Sequence, residues 1–230
     1  MSGEVFPVDD RLLASACERL RSHAGLRYLL GGSGTGKSTV AGALRASLGI
    51  DVIDMDARIY GTWGDRWDPA RHPATSAWLS AADPLAWQLA LEPEDFLRFH
   101  AAATVEALDL LADEQEESVV TTLALIDGGF GSLAAVALAV PPGDIVCLAL
   151  PPGSSEAVWA ADMGRRSFLE VVAAVVSLPD PVARFLALDA ALSERMVTDA
   201  RQAGVAVIER APGTSLEATA RAVAGHLGLD

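Results

Sequence analysis

The chain holds a single lysine, Lys37, against sixteen arginines, and only two cysteines, Cys17 and Cys147. Neither cysteine belongs to a C-x-x-C pair, which argues against a disulfide framework or a zinc ribbon; both are expected to be reduced and buried. Positive charge is scarce overall, with 17 Lys and Arg against 31 Asp and Glu and a net charge of −14. The arginines are scattered, so no basic face for nucleic acid is expected, and an acidic chain is poorly suited to anionic membrane surfaces. Long apolar runs are also missing. The most apolar region, 119–150, is interrupted by Asp127, Gly128, Gly129, Pro141, Pro142 and Asp144. A membrane helix needs about 20 nearly continuous apolar residues, so buried strands are expected here instead. Met1 to Asp10 shows no signal-peptide pattern, and the expected location is the cytoplasm. His72 and His100 lack metal-ligand spacing, and no G-x-S-x-G nucleophile motif occurs.

What is present is ample core material. Hydrophobic residues make up 51% of the 230, and charged residues 21%, the balance of one α/β domain rather than a disordered chain. Apolar runs at 26–30, 51–55, 119–126, 145–150 and 205–208 read as five short strands. Between them lie helical patterns at 10–23, 37–48, 93–112, 132–139, 155–178 with a break near Gly164, 181–203 and 214–227. Asp9 or Asp10 can cap the first helix, and Thr214 with Glu217 reads as a capping box for the last. The acidic stretch 113–117 reads as a solvated turn. Strands alternating with helices predict an α/β, doubly wound parallel sheet with right-handed crossovers.

The single lysine falls inside Gly31-Gly32-Ser33-Gly34-Thr35-Gly36-Lys37-Ser38, a full match to G-x-x-x-x-G-K-[ST] between an apolar strand and a helix. Glycines let backbone N–H groups turn inward around a phosphate, and the helix N-terminus adds free donors. Gly32, Ser33, Gly34, Thr35, Gly36, Lys37, Ser38 and Thr39 are therefore the candidate nucleotide-binding residues. Lys37 would reach the β- and γ-phosphates, Ser38 would ligate Mg²⁺, and Thr39 would contact the α-phosphate side. ATP is the default nucleotide, since no Asn-Lys-x-Asp guanine-reading pattern occurs.

Two strand ends carry acid. The second strand ends Asp54-Met55-Asp56 and the third ends Asp127-Gly128-Gly129. Ligands gather at the carboxyl ends of parallel strands. Of Asp54 and Asp56, one can hold the magnesium shell through water and the other can accept the proton of an attacking hydroxyl; Asp127 is a candidate magnesium ligand.

The glycine loop, the Asp-x-Asp and the strand-Gly-Gly together resemble the P-loop small-molecule kinases, with shikimate kinases the nearest pattern. The resemblance implies a three-layer P-loop NTPase fold, one domain over 1–230, and strand order 2-3-1-4-5. It further implies a helical acceptor-binding insertion at 57–117 and a lid near 153–180. Asp54 would help hold the magnesium, Asp56 would bind or deprotonate the acceptor hydroxyl, and Gly128 and Gly129 would line the acceptor site; Arg165, with Arg166, would supply lid arginines to the moving phosphate. Arg58 and Tyr60, just after Asp56, would touch the acceptor. The insertion holds Trp63, Trp67, Trp78 and Trp87; it departs from the shikimate kinases in length and tryptophan content. The expected activity is transfer of the ATP γ-phosphate to a hydroxyl of a small molecule. The glycine loop by itself also fits an ATPase or nucleotide switch acting on a protein partner.

Overall fold

A computed structural model describes residues 6–23, 25–117, 123–161, 163–211 and 213–229. In chain order the elements are α1 (Asp10–Arg21), β1 (Leu26–Gly31), α2 (Lys37–Leu48), β2 (Asp51–Asp54) and α3 (Met55–Ala57). A π-helical turn, Arg58–Thr62, and a 3₁₀ turn, Gly64–Arg66, lead to α4 (Pro73–Leu79), α5 (Pro84–Ala90) and α6 (Pro93–Glu117). Then come β3 (Ala124–Asp127), α7 (Leu133–Ala139), β4 (Ile145–Ala149), α8 (Ser155–Ala161) and α9 (Met163–Ala173). The chain closes with α10 (Pro181–Ala203), β5 (Ala206–Glu209) and α11 (Leu216–Leu227). The start of the expected third strand, 119–122, lies outside the described residues.

The five strands form one all-parallel sheet in the order β2-β3-β1-β4-β5. Helices cover both faces, and the side-chain period of two explains how. Tyr28 and Leu30 of β1 join a large core with residues of α1, α6 and α7. Leu29, between them, joins Val40, Ala41 and Leu44 of α2 and Val223, Ala224 and Leu227 of α11. No helix of the described residues is long and apolar enough to cross a membrane.

Local chemistry starts and stops the helices. The Asp9 side chain accepts from the backbone N–H groups of Arg11 and Leu12. Asp83 and Asp180 cap α5 and α10, each followed by Pro at the first helical position. The last helix begins later than its Thr214-x-x-Glu217 pattern suggests: Ser215 is the cap, accepting from Ala218 N–H at 3.1 Å.

One further difference has a clear cause. Residues 113–117 are not a turn; they are the last turns of α6. Cross-chain arginines explain this, because Asp113 pairs with Arg19 and Glu114 with Arg58. The tryptophans divide between roles. Trp63 and Trp78 are 1% and 7% exposed in the main core, the latter edge-on to Phe99. The expected break near Gly164 is present, since α8 ends at Ala161 and α9 starts at Met163.

A buried polar hub anchors α6. Asp109 is fully buried and paired with Arg19, Arg71 and His72. Glu106, one turn earlier, accepts from the N–H groups of Ala74 and Thr75 at 2.8 and 2.7 Å. The hub ties α6 to α1 and to the start of α4, which sets the wall of the site described next.

Candidate functional site

The carboxyl ends of β1, β2 and β3 come together at one edge of the sheet. Register pairs Leu29 with Asp127 and Asp54 with Asp127. The glycine loop leaves β1 at this edge and enters α2. Gly31 starts it with φ 139°, and a methyl group there would overlap the Leu148 carbonyl oxygen of β4. Only glycine satisfies both demands. The loop is braced from within, since the Thr35 hydroxyl donates to the Gly32 carbonyl at 2.9 Å. Ser33, Ser38 and Thr39 are exposed around the turn, and Gly36 caps α2 with no side-chain partner for the first N–H groups.

Lys37 folds back over its own loop. Its Nζ donates to the Gly31 and Gly32 carbonyls at 2.8 and 3.0 Å. Burial pushes its pKa down, while the charges of Asp127 and Asp56 hold it up. The two carboxyls behave conversely. Burial raises Asp127, and the Ser38 hydroxyl and Lys37 pull it back, with Asp54 and Asp56 raising it further. Burial also raises Asp56, opposed by Lys37 and a Gly129 backbone N–H and assisted by Asp54. Asp127 is 4% exposed, and its Oδ1 is buried without a hydrogen-bond partner. Asp54 is partly committed elsewhere: it caps α3, accepting from Ala57 N–H at 3.0 Å. Among the described residues no cluster of three or more His, Cys, Asp or Glu side chains is arranged to hold a metal.

Gly128 and Gly129 follow β3. A methyl group on Gly128 would lie 3.3 Å from Asp56 Oδ2 and 4.0 Å from Lys37 Cε, so this glycine sits between base candidate and lysine. Beyond Gly129 opens a cavity of about 50 Å³ lined by Asp56, Tyr60, Trp67, Trp78, Phe99 and His100, among others. Tyr60 packs edge-on against Trp78, with ring centroids 5.3 Å apart. On the opposite side of the loop a cavity of about 380 Å³ runs from Gly32 and Ser33 to Pro151, Ser193 and Glu209.

The structure brings most of the sequence-derived candidates together. The loop residues, Asp54, Asp56, Tyr60, Asp127, Gly128 and Gly129 share this edge. Arg165 on α9 stands over the loop, its Nη1 3.3 Å from where a Cβ on Gly34 would be. Two candidates lie elsewhere. Arg58 pairs with Glu114 at 2.8 Å and is absent from the cavity wall. Arg166, next to Arg165, is exposed on α9.

One residue escaped the sequence reading. Arg210, just after β5, donates from Nη1 to the Thr35 carbonyl at 2.8 Å, and its Nε is buried without a partner. Its signal is an arginine directly after the last strand, where strand ends gather ligands. His100, read from the sequence as an ordinary histidine, lines the cavity: burial pushes its pKa down to about 4, and it packs against Phe96 and Phe99. A scan against protein-family models finds no match, and no curated protein matches the chain.

Proposed function

We propose that the chain is an ATP-dependent phosphotransferase that moves the γ-phosphate to a hydroxyl of a small molecule, on a P-loop kinase-like fold. One observation carries the reading. Lys37, Asp127 and Asp56 meet at the loop edge, and Asp56 lines a cavity together with Gly129. A phosphate loop alone needs no such cavity; a second substrate does.

The oxygen donors at this edge suit magnesium. Ser38, Asp127 and Asp54 offer hard oxygens, and the buried, unpartnered Asp127 Oδ1 calls for a cation or donor. Bound there with ATP, Mg²⁺ would supply charge neutralisation for the phosphates.

The chain's own residues then divide the work. Loop N–H groups and the start of α2 cradle the phosphates. Lys37 exchanges its loop carbonyls for phosphate oxygens. Asp56 accepts the proton of the acceptor hydroxyl as that oxygen bonds to the γ-phosphorus. The bond from γ-phosphorus to the bridging oxygen breaks, and ADP departs with that oxygen. Arg165, above Gly34, spreads the charge of the moving group as the lid region closes.

Mass spectrometry of pooled hydroxyl metabolites incubated with Mg–ATP tests the reading. One acceptor gaining a phosphate, with the rate falling about 10²- to 10⁴-fold in Asp56→Asn, is expected. ATP breakdown without a phosphorylated product in any pool counts against it.

A further inference from the structure

The cavity beside Asp56 restricts what the acceptor can be. Among the described residues, its wall contains no lysine and no arginine. The insertion's nearby arginines are engaged elsewhere: Arg58 holds Glu114, and Arg71 holds Asp109 and Asp113. His100, the one basic side chain in the wall, is kept neutral by burial, with a pKa of about 4. Asp56 is the only carboxylate in the wall. An anionic substrate would therefore meet one negative group and no cation in the described wall, with the nearby Lys37 taken up by the nucleotide phosphates, an unfavourable burial of charge.

The same wall is rich in aromatic edges and holds an unpaired indole donor. Tyr60, Trp78 and Phe99 form an edge-to-face chain, with Tyr60–Trp78 and Trp78–Phe99 centroids 5.3 and 5.7 Å apart. Trp67 completes the wall, and its Nε1 is buried with no hydrogen-bond partner. An indole N–H only donates. A buried donor left unpaired is costly, so a ligand that presents an acceptor atom gains by meeting it. The volume, about 50 Å³, admits three to five water-sized groups at roughly 10–15 Å³ each. That fits the polar edge of one small ring.

We propose that the acceptor is a compact, uncharged, hydroxylated ring of the sugar or cyclitol type. It places one hydroxyl against Asp56 and an oxygen on the Trp67 indole N–H. Acids and phosphomonoesters are excluded. The proposal rests on the phosphotransferase reading and names its substrate class.

The test pairs neutral rings with charged counterparts: glucose with glucuronate and glucose 6-phosphate, myo-inositol with its monophosphate, and further hexoses, pentoses and ribonucleosides with their acids or phosphates. Product mass with Mg–ATP and tryptophan fluorescence titration are read for each. Neutral members are expected to be phosphorylated, with kcat/KM at least tenfold above their anionic partners. Trp67→Phe is expected to raise KM about tenfold while kcat moves less than threefold. Gln88→Arg, which puts a cation in the wall, is expected to shift the anionic-to-neutral ratio at least tenfold toward the anion, so the proposal stays testable if Trp67→Phe fails to fold. Preference for an anionic acceptor, or a KM in Trp67→Phe within twofold of the parent, overturns the proposal and leaves the phosphotransferase reading standing. Neutral rings that bind in the fluorescence titration yet never gain phosphate sustain the binding class and overturn the phosphotransferase reading. Absence of both binding and transfer across the panel overturns the proposal.

Discussion

Replacing Asp109 by alanine removes the acceptor through which α6 holds α1 and the start of α4. Arg71 donates to it from Nη2 and Nε, with partners at 2.8 and 2.7 Å, and His72 Nε2 lies 3.0 Å away. Arg19 completes the set. The side chains of Asp109 and His72 are 0% and 1% exposed, so water cannot take over. Arg71 is 42% exposed and recovers some solvation, and Arg19 keeps Asp113 as a partner, whereas His72 is left as a buried donor. Breaking a buried pair by removing one partner costs about 3–5 kcal/mol. For a chain of this size each kcal/mol lowers Tm by about 2–4 °C, so Asp109→Ala is expected to melt about 6–20 °C below the parent. The pH dependence follows from the sign of the pKa shift. Burial pushes Asp109 up, but hydrogen bonds from His72 and Arg71 and the charges of Arg71 and Arg19 outweigh it, and the net value falls below the ordinary 3.8. A depressed folded pKa contributes stability that is complete above the unfolded value and is lost as pH falls through the folded one. The Tm gap should therefore hold near neutrality and shrink in strong acid. Arg71→Ala added to Asp109→Ala should cost far less than Arg71→Ala alone. Thermal melts by circular dichroism decide this; a gap under 2 °C at neutral pH, or full additivity, would refute the hub as the anchor of α6.

Three further outcomes are expected near the site. Gly129→Ala forces alanine to φ 70°, overlaps Met55 Cβ and crowds Ile59 Cδ1 at 3.1 Å; left-handed strain and overpacking together predict a loss of about 2–5 kcal/mol in a denaturant titration. Asp127→Asn should raise Tm at neutral pH: burial raises the folded Asp127 pKa above 3.8, so the cost of its charge develops as pH rises through that value. The gain should vanish below the unfolded pKa, and a variant less stable than the parent at neutral pH contradicts it. Arg210→Ala frees the Thr35 carbonyl and is expected to weaken Mg–ATP binding about tenfold in a calorimetric titration, the effect of one charge-assisted hydrogen bond.

What the sequence made legible is what is local or repeats along the chain. The Gly31–Ser38 pattern lies between a strand and a helix because its glycines and lysine act on adjacent backbone. The β-strand ends carried Asp54, Asp56 and Asp127 to one edge by topology alone. Contacts between distant residues were not legible. Arg58 sits two residues from Asp56, yet Glu114, 56 positions on, holds it away from the cavity. Arg210 reaches Thr35 across 175 positions, and only the β4–β5 pairing brings it there. Residues 113–117 read as a solvated acidic turn because their arginine partners lie on other elements. Asp109, by contrast, carried a faint local mark: Glu106, Asp109 and Asp113 recur on one face of α6 at helical spacing.

The central claim is that the loop from Gly31 to Ser38 grips a nucleoside triphosphate through Lys37. Isothermal titration of Mg–ATP into the parent chain and into Lys37→Ala measures it directly. Saturable one-to-one binding by the parent, weakened at least about tenfold in the variant, is the expected result. Absence of binding to the parent, or equal affinity in both proteins, would contradict it.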